Sequence, residues 1–434
     1  MLWIGGPGET GMNAVAKILK GEVNPSGRTV DTYAYDLMSA PSYENWGDYH
    51  YADTEYEAVG YAGVEKRNLN FVEEAEGIYI GYRYYETRWV DNKTGICDEN
   101  AYQKVVQYPF GYGLSYTSFD QEIKDFSKDD KEVNVTVTVT NTGDIAGKDV
   151  VQLYLTPPYY EGGIEKAHVN LADFAKTDLL EPGESQEVKV SFLLEDVASF
   201  DYKDAGYYVL EQGTYEAKLM KNAHEVIDSR KFDIDETIIY DENNKRESDI
   251  TVAESKFKDA QGDVVYLSRA DWEGTWPHHD SFEKEATEEI KKAMTTYEPD
   301  PALIDEDAPA IVVKDNGLEL KDMVGLDYDD PQWELLLEQL SVEDMQELIS
   351  LGGYATQVIK SVGKPYAIDL DGPTGVKSLV NETAYTTTLY PTTVVLASTW
   401  NPVLAEEFGD IYSQEKHAWG ISRLYRPSMN IHRN

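Results

Sequence analysis

The sequence has one cysteine, Cys97, among 434 residues, and this excludes an internal disulfide framework. It has no run of 18 apolar residues, the length that a membrane-spanning helix requires. Met1–Ile4 carries no basic residue and is followed at once by glycines and proline, so it does not resemble a secretory signal peptide. We therefore expect no membrane association and a cytoplasmic location.

Basic residues are also scarce, with 38 Lys and Arg against 80 Asp and Glu and a net charge of −42. Proteins that bind nucleic acid neutralise phosphates with Lys and Arg, so we expect no nucleic-acid partner. The acidic residues are spread along the whole chain, which is typical of a solvated surface. His278 and His279 have no further ligand-type residues in a recognisable spacing, so we expect no metal site.

Residues 1–120 have the pattern of an α/β domain. A strand end at Trp3 enters a glycine-rich turn, and Met12–Leu19 has helical spacing. A phosphate site is the alternative for this turn, but neither a Walker lysine nor a full GxGxxG motif is present. We predict a long surface loop over 31–76 and a strand over Gly77–Tyr85, where apolar and polar residues alternate.

Residues 121–235 have the period of β-strands. Val133–Thr140 alternates strictly between apolar and polar residues, and Val150–Leu155, Val188–Phe192 and Gly213–Leu219 follow between turn signals. This spacing predicts an all-β sandwich of about 100 residues. Residues 236–334 form a connector with one charged helix over Phe282–Met294; a disordered linker is the alternative, but its apolar residues favour a packed segment.

Residues 335–434 begin a second α/β region. Ser341 starts a helix, Tyr366–Asp371 reads as a short buried strand, and another helix has Pro402 at its first position. Its predicted inner face consists of Leu404, Phe408, Ile411 and Tyr412, and a further strand begins at Leu424. Such alternation suits a (β/α) barrel, in which functional side chains lie where strands end, as Asp371 does.

Two motifs carry a family resemblance. Tyr108-Pro-Phe-Gly-Tyr-Gly-Leu-Ser-Tyr-Thr-Ser-Phe119 and Asp371-Gly-Pro-Thr-Gly-Val-Lys377 are similar to signatures of glycoside hydrolase family 3, in the reverse of the usual order. The chain thus resembles the domain-swapped branch. The resemblance implies a multidomain fold: the C-terminal part of an α/β sandwich domain (1–120), a fibronectin type III-like β-sandwich (121–235), a connector (236–334) and the N-terminal part of a TIM-type (β/α) barrel (335–434). It also implies a fragment truncated at both ends.

The resemblance implies the function as well. It points to a retaining, exo-acting β-glucosidase or β-xylosidase-like enzyme that removes terminal non-reducing β-linked sugars without a cofactor. Asp371 matches the residue that binds sugar hydroxyls in the −1 subsite, and Lys377 stands where the family has arginine. The alternative for Asp371 is a turn-capping residue. Its partner would be a small β-glucoside or oligosaccharide, and a homo-oligomer stays open.

The resemblance places the catalytic nucleophile and the acid/base outside this chain. Asp271 lies in a Ser-Arg-Ala-Asp-Trp segment of the connector, and Glu9 and Glu76 are weak substitutes for the acid/base. His432 and Arg433 are expected to be structural. We therefore expect an enzyme for the parent protein and inactivity for this chain alone. The alternative function is a non-catalytic scaffold with weak sugar binding.

Overall fold

The computed structural model describes residues 2–45, 47, 49–60, 63–255, 264–277, 283–295, 310–372, 374–376, 387–425 and 432. The fold is multidomain, with mixed α/β and β-rich parts. The helices are α1 Gly11–Leu19, α2 Tyr82–Arg88, α3 Glu99–Val105, α4 Glu288–Thr295, α5 Gln332–Leu337, α6 Val342–Ser350, α7 Thr393–Ala397 and α8 Pro402–Ala418. Within the described ranges, none of them is long and apolar enough to cross a membrane.

The strands are mostly antiparallel and form several small sheets. They are β1 Tyr33–Ala34, β2 His50–Tyr51, β3 Tyr56–Gly60, β4 Gly63–Arg67, β5 Val106–Tyr108, β6 Phe119–Lys128, β7 Glu132–Asn141, β8 Val150–Thr156, β9 Asn170–Lys176, β10 Ser185–Leu193, β11 Ser199–Phe200, β12 Tyr208–Leu210, β13 Gly213–Met220, β14 Val226–Ile234, β15 Ile238–Tyr240, β16 Glu283–Lys284, β17 Ala355–Thr356, β18 Ala367–Asp371 and β19 Arg423–Tyr425. The chain divides into two compact units, a larger one made mainly of residues 16–295 and a smaller one made mainly of 296–396 and 403–429.

A β-sandwich is the centre of the larger unit. One sheet has the strand order β10-β7-β6 and the other has the order β14-β13-β8-β9. The alternating valines of β7 point into a core that also contains Leu153 of β8 and Tyr215 of β13. Period-two alternation places one face of each strand inward, so the sequence pattern alone directs this burial. The predicted β-sandwich is confirmed.

The Tyr108–Phe119 motif connects β5 to β6 and packs against the sandwich. Gly111 has φ +78°, and a Cβ there would lie 2.1 Å from Oε1 of the fully buried Gln152. The Gln152 amide donates 3.0 Å hydrogen bonds to the Gly111 and Lys221 carbonyls. Phe110 stacks on Tyr82 at 4.5 Å between ring centroids. Glycine is required at 111 because the backbone approaches Gln152 closely in a left-handed conformation.

The long loop predicted over 31–76 is wrong, because short strands interrupt it. β1 pairs with β5, and β3 pairs with β4 in an antiparallel hairpin with the register Tyr56↔Arg67. Most of the side chains of β4 are exposed on both faces. A strand without a buried face has no apolar alternation, and this explains why the pattern did not reveal the hairpin.

The strand predicted over Gly77–Tyr85 is also wrong. Gly77 and Gly81 both adopt φ +55°, which ends any extended run, and helix α2 begins at Tyr82. Tyr79, Tyr84 and Tyr85 are buried in an aromatic cluster with Tyr102. Burial of the tyrosine rings in the tertiary structure therefore favoured a helix, although the local alternation of residues is typical of a strand.

The connector packs rather than forming a loose linker, as predicted, wherever it is described within 264–277. Leu267 is buried in the aromatic cluster, and its backbone N–H donates to Ala75 O at 2.7 Å. The helix predicted over Phe282–Met294 is observed as α4, which begins at Glu288. β15 lies within the predicted connector but pairs with β12.

The smaller unit contains a three-stranded sheet with the order β17-β18-β19. Helix α6 begins at a capping box, in which the Ser341 hydroxyl accepts from Asp344 N–H and the Asp344 carboxylate accepts from Ser341 N–H, both at 3.0 Å. Helices α7 and α8 follow β18 in the chain, and α8 precedes β19. Of its predicted inner face, Phe408 and Tyr412 pack against the sheet, whereas Leu404 and Ile411 are exposed. The prediction of a wider inner stripe is wrong for Leu404 and Ile411, because an apolar helix stripe is buried only where another element covers it.

Candidate functional site

Asp371 is the last residue of β18, and its strand pairs in parallel with β19. The register places Asp369 beside Arg423 and Asp371 beside Tyr425. The carboxyl ends of parallel strands meet at one edge of a sheet, where functional side chains of α/β proteins gather. Asp371 and Tyr425 therefore share this edge.

The two faces of β18 differ in character. Leu370 and Leu424 belong to the apolar cluster that contains Tyr412 of α8. Successive side chains of a strand point to opposite faces, so Asp369 and Asp371 lie on the face away from α8. The 2.6 Å ion pair between the Asp369 carboxylate and Arg423 Nε lies on that polar face. One side of the sheet is therefore core and the other carries charge.

Backbone contacts hold the chain after Asp371. The Asp371 carboxylate accepts from Gly372 N–H at 2.7 Å, and Gly372 has φ +126°. The Tyr412 hydroxyl donates to the Gly372 carbonyl, and Tyr390 N–H donates to Thr374 O at 2.8 Å. Asp371 thus contributes to its own turn, so the turn-capping interpretation describes part of its role.

Aromatic rings lie beside this polar face. Tyr354 and Tyr425 make an edge-to-face contact at 6.0 Å between ring centroids, and both side chains are exposed. Tyr354 has φ +52°, and its carbonyl accepts from Asp369 N–H at 2.9 Å. A non-glycine residue in the left-handed region is uncommon, so the backbone conformation of Tyr354 is unusual. A carboxylate next to exposed rings can bind a ligand with both hydroxyls and apolar C–H faces.

Lys364 adds a second cation to the region. Its ammonium donates 2.8 Å hydrogen bonds to Thr356 Oγ1 and to the Gln357 carbonyl. Burial, and then the nearby Arg423 charge, lower the pKa of Lys364. Both effects disfavour the protonated form of Lys364. The other cation of this region is the Arg423 guanidinium, which is paired with Asp369.

The sequence predicted Asp371 and Lys377 as site residues. The structure places Asp371 at the strand end, whereas Lys377 lies outside the described residues. Sequence reasoning did not single out Asp369, Arg423, Tyr425 and Tyr354. For Asp369 the signal was its i, i+2 spacing from Asp371, but the partner strand was needed to place Arg423 and Tyr425 on the same face.

The other carboxylates considered have structural surroundings. Asp271 accepts from Gly274 N–H at 2.9 Å and so closes a tight turn. Glu76 is fully buried in the larger unit. Glu9 lies in the smaller unit, and its backbone N–H donates to Leu389 O at 2.8 Å. Asp371 differs from all three because it ends a strand, at the sheet edge that it shares with Tyr425.

The glycine-rich turn before α1 is filled by protein. A Cβ at Gly6 would lie 2.6 Å from Thr392 Cγ2, and one at Gly8 would lie 2.7 Å from Pro391 N. Thr392 N–H donates to Gly6 O at 2.9 Å. The glycines of this turn are explained by close chain approach, and the phosphate-site alternative gains no support.

The residues that the structure describes contain no cluster of three or more His, Cys, Asp or Glu side chains that could hold a metal ion. His278 and His279 lie outside the described residues, as does Arg433. His432 Nδ1 lies 3.0 Å from an Asp31 carboxylate oxygen in the larger unit.

Known proteins resemble this chain along its whole length. Residues 149–223 match the fibronectin type III-like domain. "Beta-glucosidase A" of Butyrivibrio fibrisolvens is 31% identical over 100% of this chain and 51% of its own length. "Beta-glucosidase" of Ruminococcus albus is 27% identical over 100% of this chain and 41% of its own length.

Among solved structures, a β-glucosidase from Paenibacillus barengoltzii has a TM-score of 0.64 and 26% identity. The similarity covers 98% of this chain and 42% of that one. The chain thus spans about half the length, or less, of the curated relatives it matches.

Proposed function

Because the chain is a β-glucosidase-like member of glycoside hydrolase family 3, we propose that the whole protein is a retaining, exo-acting β-glucosidase or β-xylosidase-like hydrolase. Its substrate is a small β-glucoside or oligosaccharide with a terminal non-reducing sugar. In this proposal Asp371 binds sugar hydroxyls in the −1 subsite, and Lys377 assists as the cation of the same motif. A cytoplasmic location and a homo-oligomeric state stay predictions.

The observation that carries the proposal is the position of Asp371. It ends β18 on the polar face, next to Tyr425 of the parallel neighbour β19. A carboxylate has about four lone-pair positions, so accepting from Gly372 N–H is compatible with accepting from neighbouring sugar hydroxyls. Hydrogen bonds to an ionised acceptor are shorter and stronger than neutral ones.

The neighbouring groups have supporting roles in this proposal. Arg423 neutralises Asp369 at 2.6 Å and so keeps the negative charge of the face concentrated at Asp371. The exposed rings of Tyr425 and Tyr354 offer apolar surface for the C–H face of a pyranose. The contacts that hold Gly372 and Thr374 limit the movement of the carboxylate, and fixed geometry favours catalysis.

We assign the nucleophile and the acid/base to carboxylates other than Asp271 and Glu76. Retaining glycosidases need two carboxyl groups about 5–5.5 Å apart, one as nucleophile and one as acid/base. Asp271 closes a turn and Glu76 is fully buried, so we assign neither of them to these roles. A non-catalytic scaffold with weak sugar binding is not favoured, because the relatives that match the whole chain are β-glucosidases.

The test is Asp371→Asn in the whole protein, with kcat/KM measured on an aryl β-glucoside. The change keeps the shape and removes the charge, so a lost charge-assisted hydrogen bond should cost about 1.5–3 kcal/mol. This corresponds to a decrease of about 10- to 150-fold in kcat/KM. The melting temperature should hardly change, because asparagine can still accept from Gly372 N–H.

Asp410→Asn is the matched control, since Asp410 is an exposed carboxylate on α8 of the same unit. It should leave kcat/KM and stability unchanged. If Asp371→Asn keeps full activity and loses stability, Asp371 is a turn residue and the proposed subsite is wrong.

A further inference from the structure

A histidine lies between two carboxylates in the larger unit, remote in sequence from Asp371. His224 Nδ1 is 2.8 Å from Glu86 Oε2, and His224 Nε2 is 3.0 Å from Glu99 Oε2. Glu86 belongs to α2, Glu99 begins α3, and His224 lies in the turn between β13 and β14 of the sandwich. One imidazole therefore connects two helices to the sandwich.

The ring is fixed in place on its other sides. Tyr102 of α3 stacks on the imidazole at 3.7 Å between ring centroids with an interplanar angle of 5°. The Tyr102 hydroxyl donates to Glu86 Oε1 at 2.6 Å, so Glu86 accepts from two partners. The side-chain amide oxygen of Asn222, Oδ1, accepts from the backbone N–H groups of His224 and Glu225 and shapes the turn.

The protonation state of His224 decides whether both of its ring nitrogens can form hydrogen bonds with the carboxylates. A neutral imidazole has one N–H and one acceptor nitrogen, whereas a protonated imidazole has two N–H donors. Both His224 nitrogens face carboxylate oxygens, which accept but do not donate when ionised. A neutral His224 would therefore hold an acceptor nitrogen against an acceptor oxygen.

We propose that His224, Glu86 and Glu99 form a proton-controlled clamp that holds α2 and α3 to the β13–β14 turn and opens when the imidazole loses its proton. Titratable groups face the ring from each element packed on it: Glu86 from α2, and Glu99 and Tyr102 from α3. Cys97 and Asp98 precede α3, and Glu225 and Lys221 belong to the turn itself, where they pair with each other.

The titration has a defined direction. Burial lowers the pKa of His224, but its hydrogen bonds and charge interactions with Glu86 and Glu99 outweigh burial and raise the pKa to about 9. Burial also raises the pKa of Glu86. A raised pKa in the folded state means that the clamp stabilises fully below the unfolded value of about 6.5 and is lost as the pH rises through about 9.

Hydrogen–deuterium exchange of the full chain at pH 7 and pH 9.5 tests the clamp, with rates corrected for intrinsic exchange. Amides of α3 and of the 221–225 turn should lose at least about fivefold protection at the higher pH. Amides of β7, in the sandwich core, should keep theirs and serve as an internal control. Equal protection of α3 and the turn at both pH values would overturn the proposal.

Glu99→Gln separates the clamp from general alkaline loosening. The amide of a glutamine can donate to the neutral Nε2 while Nδ1–H donates to Glu86, so both nitrogens stay satisfied without the extra proton. Protection of α3 should then be independent of pH. A pH-dependent loss equal to that of the unaltered chain would also overturn the proposal.

His224→Gln and His417→Gln complete the set. The first removes the charge and should lower α3 protection at both pH values. The second alters a histidine in the last turn of α8 and should behave as the unaltered chain. If His224→Gln fails to fold, the comparison between the unaltered chain and Glu99→Gln still decides the question.

Discussion

The β-sandwich and the region around Asp371 are built in contrasting ways. In the sandwich, alternating valines of β7 meet Leu153 and Leu219 from the opposing sheet, and these side chains are fully or almost fully removed from water. In the smaller unit, β18 buries Leu370 but leaves Asp369 and Asp371 on the opposite face. The contrast teaches that the sandwich strands direct apolar side chains into a shared core, whereas β18 buries one face and leaves the other polar.

The helices show the same contrast. Ile349 on α6 is 84% exposed, although Val342, Met345, Leu348 and Ile349 have the spacing of one apolar helix face. Apolar residues of a regular strand in a two-layer sandwich have a fixed inward side, whereas a helical stripe is buried only where another element covers it. The apolar pattern of the sequence therefore predicts burial more accurately in the sandwich than in the smaller unit.

Limited proteolysis should show the largest difference between the two regions. We propose that the sandwich, approximately residues 120–235, resists cleavage as a folded module. Tyr328 is 100% exposed, whereas Tyr154 and Tyr215 are buried in the sandwich. Chymotrypsin should cut after Tyr328 at least about a hundredfold faster than after either buried tyrosine, because cleavage requires local opening.

Mass spectrometry of the fragments against time measures these rates. Comparable early cleavage after Tyr154 or Tyr215 would show that the sandwich does not hold together independently.

Leucine truncation should give the next largest difference. Leu153→Ala removes a side chain with 0% exposure and should lower the free energy of unfolding by about 2–5 kcal/mol. Leu404→Ala, on the 39% exposed position of α8, should change it by less than about 1 kcal/mol. Urea denaturation followed by tryptophan fluorescence measures both.

Equal costs for the two leucines would contradict the assignment of Leu404 to the exposed side of α8. They would restore the wider inner stripe that the helical spacing predicted.

A pair of glycines should give the smallest difference and sharpen the role of the Tyr108–Phe119 motif. Gly111 and Gly162 have similar φ values, +78° and +81°, but a Cβ at 111 meets Gln152 whereas one at 162 meets nothing within 4 Å. Gly162→Ala should cost about 1 kcal/mol from backbone strain. Gly111→Ala should cost about 2–4 kcal/mol, because overpacking adds to the same strain.

Thermal unfolding of the two variants measures the difference. Similar melting temperatures would show that the contact with Gln152 relaxes without cost and that φ alone requires glycine at 111.

Sequence reasoning predicted the elements whose pattern repeats locally. β7 was predicted from its valine alternation, and the start of α6 from Ser341 and Asp344 three residues later. It failed for α2, where alternating residues gave a strand prediction, and for β4, where no face is buried. Asp371 was identified by the family motif, but its distance from Lys377 is outside what the structure describes.

The sequence by itself determined the β-sandwich and the strand that ends at Asp371. Each follows from spacing within a few residues, which the chain carries locally. Only the tertiary structure decided that Asp369, Arg423 and Tyr425 share one face, and that His224 lies between Glu86 and Glu99. Asp369 and Arg423 are 54 positions apart in the chain, and His224 is 138 positions from Glu86 and 125 from Glu99. Contacts at such separation depend on strand pairing and helix packing, which no local pattern encodes.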